Sequence, residues 1–253
     1  MATPATIMAE LHTEHAGTLT VSLADDHEVR DCQRLRYQVF ADELGARLHT
    51  DRPGVDRDAF DPFCKHLLVR DSATGAVAAT TRLLLDGDAR RAGGFYSETE
   101  FDLQPVLGLP GRFMEVGRTC VHGHYRSGAA IAVLWSGVAR MMVMHQVDYL
   151  IGCASIPLRD GGVYAQSVVE RLRDSYFVPE ELRVIPKRPL PAWDVPVRPD
   201  VALPALLKGY LRLGARVCGE PCWDPDFDVA DLFVLLNRDR LEQRYARHFV
   251  NRL

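Results

Sequence analysis

The spacing of apolar and polar residues predicts strands and helices that are interleaved along the chain. Strand character predicts a strand at 19–24 and a hairpin formed by HLLVRD and AVAATTRLLL, with ATG as its turn. Further strand-like runs are FMEVGRTCV, VDYLIGCASI, ARVCGEP and VADLFVLL. Apolar residues at helical spacing predict helices at 27–44, 127–146, 160–175 and 204–213. This mixture of strands and helices indicates an α/β or α+β fold around a sheet.

Three stretches depart from this pattern. Residues 1–17 read as a flexible tail, which leaves 18–253 as a single predicted domain. Seven of the 15 prolines fall within 179–204, where we expect an extended connector over the core, or a lid. Residues 238–253 carry five arginines and predict a basic amphipathic helix. Such a helix can dock on its own domain, lie on an anionic membrane, or bind an acidic carrier protein.

Composition and charge narrow the function. The chain has 253 residues and a formal net charge of −4, so no overall basic field attracts nucleic acid and any anion site must be local. The six cysteines lack CxxC spacing, which favours free thiols in a reducing compartment over a metal site. Neither a secretory signal nor a membrane span is predicted, because Arg140 interrupts the most apolar stretch. We therefore expect a cytoplasmic protein without a metal.

The junction between the strand FMEVGRTCV and the following apolar helix is a candidate anion site. The first N–H groups of a helix and its dipole favour negative charge above them. Arg126 supplies a guanidinium, Ser127 can cap the helix, and Gly128 lets the backbone approach a ligand. These residues suit a pyrophosphate or a phosphopantetheine phosphate. Because neither GK[ST] nor GxGxxG is present, the motif is not a P-loop or a dinucleotide fingerprint. An ordinary capped turn is the other interpretation.

Several stretches together resemble the GCN5-related N-acyltransferases (GNAT superfamily). The strand, basic glycine turn and apolar helix are similar to their acyl-donor site. Within that superfamily, RLRYQVF, DRDAFD followed by CKHL, TTRLLL and MEVGRTCVH resemble acyl-homoserine-lactone synthases and ornithine-lipid N-acyltransferases. The C-terminal run LLKGYLRLGARVCGEPCWDPDFDVADLFVLL at 206–236 resembles specifically the ornithine-lipid enzymes, which are sometimes labelled hemolysin-like.

The resemblance implies a mixed α/β sheet flanked by helices and a role in lipid biosynthesis. The enzyme would move a 3-hydroxyacyl chain from acyl carrier protein to the α-amine of ornithine, giving lyso-ornithine lipid. The strands at 113–121 and 148–156 would splay apart to hold the pantetheine arm. The resemblance also implies that a helix carrying Arg36 and Phe40 lies beside the acyl site. The residues expected to bind the carrier arm are Cys120, Val121, Arg126, Ser127, Gly128 and Ala129.

The chemistry of amide formation suggests roles for individual residues. Glu115 lies in an otherwise apolar strand, where desolvation would raise its pKa into a useful range for a base. A salt bridge to Arg118 or Arg82 is the alternative interpretation. Arg118 would face the other side of a regular strand, but a bulge at Gly117 would bring it beside Glu115.

The acidic loop suggests how the acceptor is recognised. Asp56, Asp58 and Asp61 could surround a cationic acceptor, with Arg82 or Arg118 clamping its carboxylate, although turn chemistry alone also explains acidic residues in a loop. Other acceptors remain open at this point: glutamine, lysine, glycine, or S-adenosylmethionine in a homoserine-lactone synthase. A non-catalytic protein that binds acyl carrier or lipid is the alternative from a different class.

Overall fold

A computed structural model gives the fold of residues 15–16, 18–191 and 195–239. The predicted tail at 1–17 and the predicted basic helix at 238–253 lie almost wholly outside these ranges. The strands are β1 His15–Ala16, β2 Leu19–Leu23, β3 Lys65–Asp71, β4 Val77–Leu85, β5 Phe101–Asp102, β6 Phe113–Val121, β7 Tyr149–Pro157, β8 Ile185–Pro186, β9 Arg216–Val217, β10 Cys222–Asp224 and β11 Val229–Asn237. The α-helices are α1 Asp26–Tyr37, α2 Asp86–Ala92, α3 Gln104–Leu107, α4 Ala129–Met144, α5 Val163–Tyr176 and α6 Ala205–Leu213.

The first helix begins at a capping box. The Asp25 carboxylate accepts hydrogen bonds from the backbone N–H groups of His27 and Glu28, and the Glu28 carboxylate accepts from the backbone of Asp25. The sequence predicts one helix over 27–44. In the structure α-helical geometry ends at Tyr37, and the chain continues as a π-helix at Gln38–Glu43. A wider turn of this kind is common at functional sites, and periodicity alone does not reveal it.

The chain divides into two compact units, Met1–Gly93 with Val116–Gln146, and Gly94–Glu115 with Val147–Leu253. The single domain at 18–253 stays a prediction. In the first unit β1 to β4 are antiparallel neighbours in sequence order, and β4 is followed by β6. This confirms the predicted hairpin. Helices α1 and α4 pack against these strands.

In the second unit the sheet is mixed. β11 pairs with β7 in an antiparallel ladder from Val229↔Pro157 to Asn237↔Tyr149, and it also pairs with β9 and β10. The first residues of β6 pair in parallel with β7, and the last pair given for this ladder is Glu115↔Ile151. The mixed sheet flanked by helices agrees with the predicted fold class. The splayed strands stay a prediction.

Residues 86–112 contain elements that the sequence pattern did not indicate. They form the short helices α2 and α3, the strand β5, and a 3₁₀ turn at Tyr96–Thr99. β5 pairs with β8, which lies in the predicted proline-rich connector at 179–204. Each of these elements has at most seven residues. Such short elements cannot show a recognisable period.

Candidate active site

Strand β6 carries both residues proposed as catalytic. Glu115 belongs to the second unit and Arg118 to the first. Arg118 has a backbone φ of 51°, in the left-handed region that side-chain-bearing residues rarely adopt. The sequence predicted a bulge at Gly117, and the structure instead places the irregular backbone at Arg118 itself. Because this conformation breaks the two-residue alternation of a strand, the direction of the Arg118 side chain differs from that in a regular strand.

Glu115 is buried and held by donors from the 3₁₀ turn at Tyr96–Thr99. Its carboxylate accepts hydrogen bonds from the backbone N–H groups of Tyr96 and Ser97, each at 2.7 Å. The Ser97 hydroxyl donates to the same carboxylate, and Ser97 is fully buried. Hydrogen bonds to a carboxylate favour its ionised form, which can accept a proton. The sequence pattern did not indicate this turn, although the Ser97 side chain fixes the orientation of the proposed base.

An acidic cluster continues from this site within the second unit. Cys153 Sγ lies 3.3 Å from Ser97 Oγ and 3.3 Å from Glu100 Oε2. Carboxylate oxygens of Glu100, Asp224 and Asp231 all lie within 4.8 Å of one another. Burial, and then the charge of Asp231, raise the pKa of Glu100 to about 8. Three carboxylates this close repel one another when all are ionised, so the cluster favours holding a proton.

The first unit contains a buried ionic network centred on Arg36. Its guanidinium donates to Asp56 Oδ2 at 2.8 Å, and to the two oxygens of Asp61 at 2.9 and 3.0 Å. Arg36 is completely buried. Burial opposes ionisation of Asp61, but the charges of Arg36 and Arg82 outweigh it and hold the pKa of this carboxyl below its usual range. Arg36 therefore does not lie on a solvated helix face, whereas the side chain of Arg34 on the same helix is exposed.

The remaining members of this network reach towards the surface of the first unit. Arg82 donates to Asp58 at 2.6 Å and to Asp61 at 3.3 Å. The Arg118 guanidinium lies 3.3 Å from Asp56 and 3.4 Å from Asp58. The side chains of Asp58 and Arg118 are 21% and 13% exposed, whereas those of Asp56 and Asp61 are at most 4% exposed. A ligand that meets this network can therefore reach Asp58 and Arg118 most easily.

His66 lies beside this network and was not singled out as a site residue from the sequence. Its Nε2 is 3.5 Å from Asp61 Oδ1, and the residue is buried. Burial, and then the positive charge of Arg36, lower the pKa of His66 to about 4. The ring is therefore neutral at physiological pH. In the sequence, His66 lies in the strand-like run of β3 after the acidic loop, within the CKHL motif that contributes to the family resemblance.

Two of the residues expected near the acyl chain and the pantetheine arm, Phe40 and Cys120, lie in one apolar cluster of the first unit. Leu35, Val39 and Cys120 form a buried apolar cluster, and Phe40 packs against it. Burial raises the pKa of the Cys120 thiol, so it stays protonated and acts as a packing group. Phe40 and Cys120 thus belong to one apolar cluster, and their role at the acyl site stays a prediction.

The predicted anion cradle takes a different form from the one expected. Gly128, with φ 102°, is the residue that caps helix α4, and no side chain caps this end. The expectation that Ser127 caps the helix is therefore wrong, because the left-handed glycine takes that position and the helix begins at Ala129. Arg126 donates to the carbonyl of Val121 at 3.1 Å and pairs with Glu43 at 2.5 Å. Its guanidinium is half exposed.

Within the residues that the structure describes, none of the helices has the length and apolar character required to cross a bilayer.

Comparisons with known proteins agree on one superfamily. Residues 35–136 match the acetyltransferase (GNAT) domain. An L-ornithine N(alpha)-acyltransferase from Brucella abortus (strain 2308) is 34% identical over 258 residues, which cover 92% of this chain and 89% of the relative.

Two solved structures are similar in fold. FeeM, an N-acyl amino acid synthase from uncultured soil microbes, has a TM-score of 0.55 at 11% identity and covers 90% of this chain and 98% of its own. The AHL synthase LasI has a TM-score of 0.51 at 12% identity, with 87% and 89% covered. At these identities the structures show the fold alone, and they confirm the predicted GNAT-like sheet.

Proposed function

Because the chain belongs to the family of L-ornithine N(alpha)-acyltransferases, and so is an N-acyltransferase, we propose that it acylates the α-amine of L-ornithine. The donor is a 3-hydroxyacyl thioester of acyl carrier protein, and the product is lyso-ornithine lipid. The observation that carries this proposal is the 34% identity over 92% of the chain. The proposal includes a cytoplasmic location with peripheral contact to anionic membrane, since the donor is a carrier thioester and the product is a lipid.

The reaction sets a clear requirement for proton transfer. The α-amine of an amino acid is mostly an ammonium near neutral pH, and nitrogen must lose a proton before it can attack the thioester carbonyl. Attack forms the C–N bond, and collapse of the tetrahedral intermediate breaks the C–S bond. The nitrogen then loses a second proton, and the departing thiolate takes one. One proton is released to solvent for each amide formed.

Glu115 is the proposed base. Its burial limits competing water, and the donors of Tyr96 and Ser97 fix the direction of its carboxylate. We propose Arg118 as its catalytic companion, which stabilises negative charge or clamps the acceptor carboxylate.

The ionic network of the first unit is the proposed acceptor site. Asp58 and Arg118 are its more exposed members, so they suit the ammonium and carboxylate groups of an amino acid. Asp56, Asp61 and Arg82 then hold these two side chains in place. This division refines the expectation that all the acidic residues contact the acceptor directly, because Asp56 and Asp61 are already engaged by Arg36.

The donor site is proposed at the start of helix α4 and at the end of β6. Ala129 opens the helix behind a glycine that leaves the approach unobstructed, since a Cβ placed on Gly128 would meet nothing within 4 Å. Arg126 and Ser127 lie beside it in the chain, and Cys120 and Val121 precede them on β6. The carrier phosphate would displace Glu43 from Arg126, whose exposed ion pair is a weak one.

The decisive experiment incubates the purified chain with 3-hydroxyacyl carrier protein and L-ornithine, and detects the amide by mass spectrometry. Glutamine, lysine, glycine and S-adenosylmethionine compete in parallel reactions. We expect lyso-ornithine lipid as the main product. Replacing Glu115 with Gln should lower kcat by about 100-fold or more while the protein stays folded, because a positioned base contributes about 10²–10⁴. Glu181→Gln, an exposed change, is the matched control. Failure to form an amide from ornithine would reject this substrate.

A further inference from the structure

A continuous series of hydrogen bonds connects Glu115 to a second carboxyl group, Glu100. The Ser97 hydroxyl contacts Glu115 Oε1, Cys153 Sγ lies 3.3 Å from Ser97 Oγ, and the same sulfur lies 3.3 Å from Glu100 Oε2. All four residues belong to the second unit. Ser97 is 0% exposed and Glu115 is 4% exposed, whereas Cys153 and Glu100 are partly buried, so the series is shielded from bulk water at its Glu115 end. Buried polar groups of this kind are hydrogen-bonded, as Ser97 and Glu115 are to each other.

Counting protons shows what this series can do. Its three links need three protons, and the Ser97 hydroxyl and the Cys153 thiol supply two. A carboxyl group at one end must supply the third. When Glu100 carries this third proton, Glu100, Cys153 and Ser97 each donate a hydrogen bond to the next group towards Glu115. When Glu115 carries it, Glu115, Ser97 and Cys153 each donate to the next group towards Glu100. If each of the three protons moves from its donor to the neighbouring acceptor, the carboxyl group at one end of the series loses a proton and the carboxylate at the other end gains one. The thiol gives up one proton as it receives another, so sulfur never carries a charge.

The proposed reaction needs such a transfer. Two protons leave the acceptor nitrogen for each amide, and the thiolate of the donor takes only one of them. A carboxylate can hold one proton at a time, so Glu115 must lose the first proton before it can accept the second one from the nitrogen. Glu115 and Ser97 are buried, and direct release of the proton to bulk water is therefore obstructed.

We propose that Glu100 is a positioning residue which, through Cys153 and Ser97, takes the first amine proton from Glu115 and later releases it to solvent. This step rests on the proposed role of Glu115. The first proton passes from nitrogen to Glu115 and along the series to Glu100. The second passes from nitrogen to Glu115 and then to the thiolate sulfur. Thioester and ammonium thus give amide, thiol and one proton, and no oxidant or other reactant is required.

The surroundings of Glu100 suit a proton acceptor. The ionisable groups that face it are Glu115 on β6, Cys153 on β7, Cys222 and Asp224 on β10, and Asp231 on β11. Burial and the charge of Asp231 raise the pKa of Glu100 to about 8, so it takes a proton more readily than an exposed carboxylate does. Burial, and then the charge of Glu100, raise the pKa of the Cys153 thiol, which therefore stays protonated as a relay group must. Since Glu100 must be ionised to accept a proton, turnover should increase as pH rises through this range.

The test measures kcat for ornithine acylation between about pH 6 and pH 9.5 in the wild type and in three variants. Wild-type kcat should rise about tenfold per pH unit below the pKa of Glu100 and level off above it. Glu100→Gln and Cys153→Ala should lose this rise and lower kcat by about 100-fold, with the KM for ornithine changed less than about twofold. Cys153→Ser, whose hydroxyl can also relay a proton, should restore the rise. Ionisation of the substrate is the same in all four proteins, so it cannot explain a difference between them.

Infrared difference spectroscopy supplies a second measurement that needs neither substrate nor a variant that folds well. In the wild type, the carboxyl band of Glu100 and the S–H band of Cys153 should change together as pH is raised. Amide formation by the wild type tests the proposed function, whereas these comparisons test the relay. An unchanged pH profile in both Glu100→Gln and Cys153→Ala, or an S–H band that does not respond to pH, would overturn the relay even in an active enzyme.

Discussion

At the scale of single residues, two arginines of one helix differ sharply in the solvent exposure of their side chains. Arg34 and Arg36 are two positions apart on α1, but the Arg34 side chain is 65% exposed and pairs with Asp31, whereas that of Arg36 is 0% exposed. An exposed pair contributes little because water screens it. A buried guanidinium is costly to desolvate, and it is stable only because Asp56 and Asp61 neutralise it and occupy its donors.

Removing Arg36 should therefore be far more destabilising than removing Arg34. Arg36→Ala leaves two buried carboxylates without their main cation, and we expect a loss of about 3–5 kcal/mol in the free energy of unfolding. Arg34→Ala, the matched control on the same helix, should change it by less than about 0.5 kcal/mol. Urea unfolding followed by circular dichroism measures both. Equal effects of the two substitutions would show that the network around Arg36 does not stabilise the fold.

At the scale of elements, helix α4 approaches the sheet of the first unit through a glycine. A Cβ added at Gly137 would lie 2.7 Å from Val21 Cγ2 and 3.2 Å from Leu67 Cδ1. Val21 is buried and β-branched, so it has little freedom to move. Glycine weakens a helix interior by about 1 kcal/mol relative to alanine, and here close packing offsets that cost.

Gly137→Ala should therefore destabilise the protein, although alanine favours helix. We expect a net loss of about 1–2 kcal/mol from overpacking. Gly209→Ala in α6, where the added Cβ meets nothing within 4 Å, should instead be neutral or stabilise by up to about 1 kcal/mol. Combined with Val21→Ala, the loss should be smaller than the sum of the single losses. Additive losses in a double-mutant cycle measured by urea unfolding would exclude the clash with Val21.

The elements also show how far the sequence alone could predict the structure. The strand expected at 113–121 matches β6 and the helix expected at 204–213 matches α6, because long apolar runs impose their period. The turn at Tyr96–Thr99 has no period to detect, yet it holds Glu115. Glu100 and Cys153 are 53 positions apart and meet only in the tertiary structure. The sequence could thus point to Glu115 and the acidic loop as candidates, but it could not predict the side chains that contact them.

At the scale of the whole molecule, a net charge of −4 conceals how the buried charge is arranged. In the first unit the three carboxylates of the acidic loop are matched by three guanidinium groups, from Arg36, Arg82 and Arg118. In the second unit a partly buried cluster includes the carboxyl groups of Glu100, Asp224 and Asp231. The balanced network makes folding stability depend on pH, whereas in the acidic cluster burial and the charge of Asp231 raise the pKa of Glu100 to about 8. The pH dependence of stability and the raised pKa of Glu100 both depend on which charged side chains lie close together in each unit.

Stability of the whole chain should therefore fall in mild acid. The pKa of His66 is about 4 in the folded protein, against 6.5 for an unperturbed histidine, because burial and Arg36 oppose its charge. Between pH 6.5 and 4 the unfolded chain binds a proton that the folded chain does not, so folding stability decreases as pH falls through that window. Integrated over the window, the loss is about 3 kcal/mol. Urea unfolding at a series of pH values should show this loss in the wild type and in His27→Gln, an exposed control, and a smaller loss in His66→Gln. If His66→Gln keeps the full dependence on pH, some other group causes the acid sensitivity and the neutral state of His66 does not matter for folding.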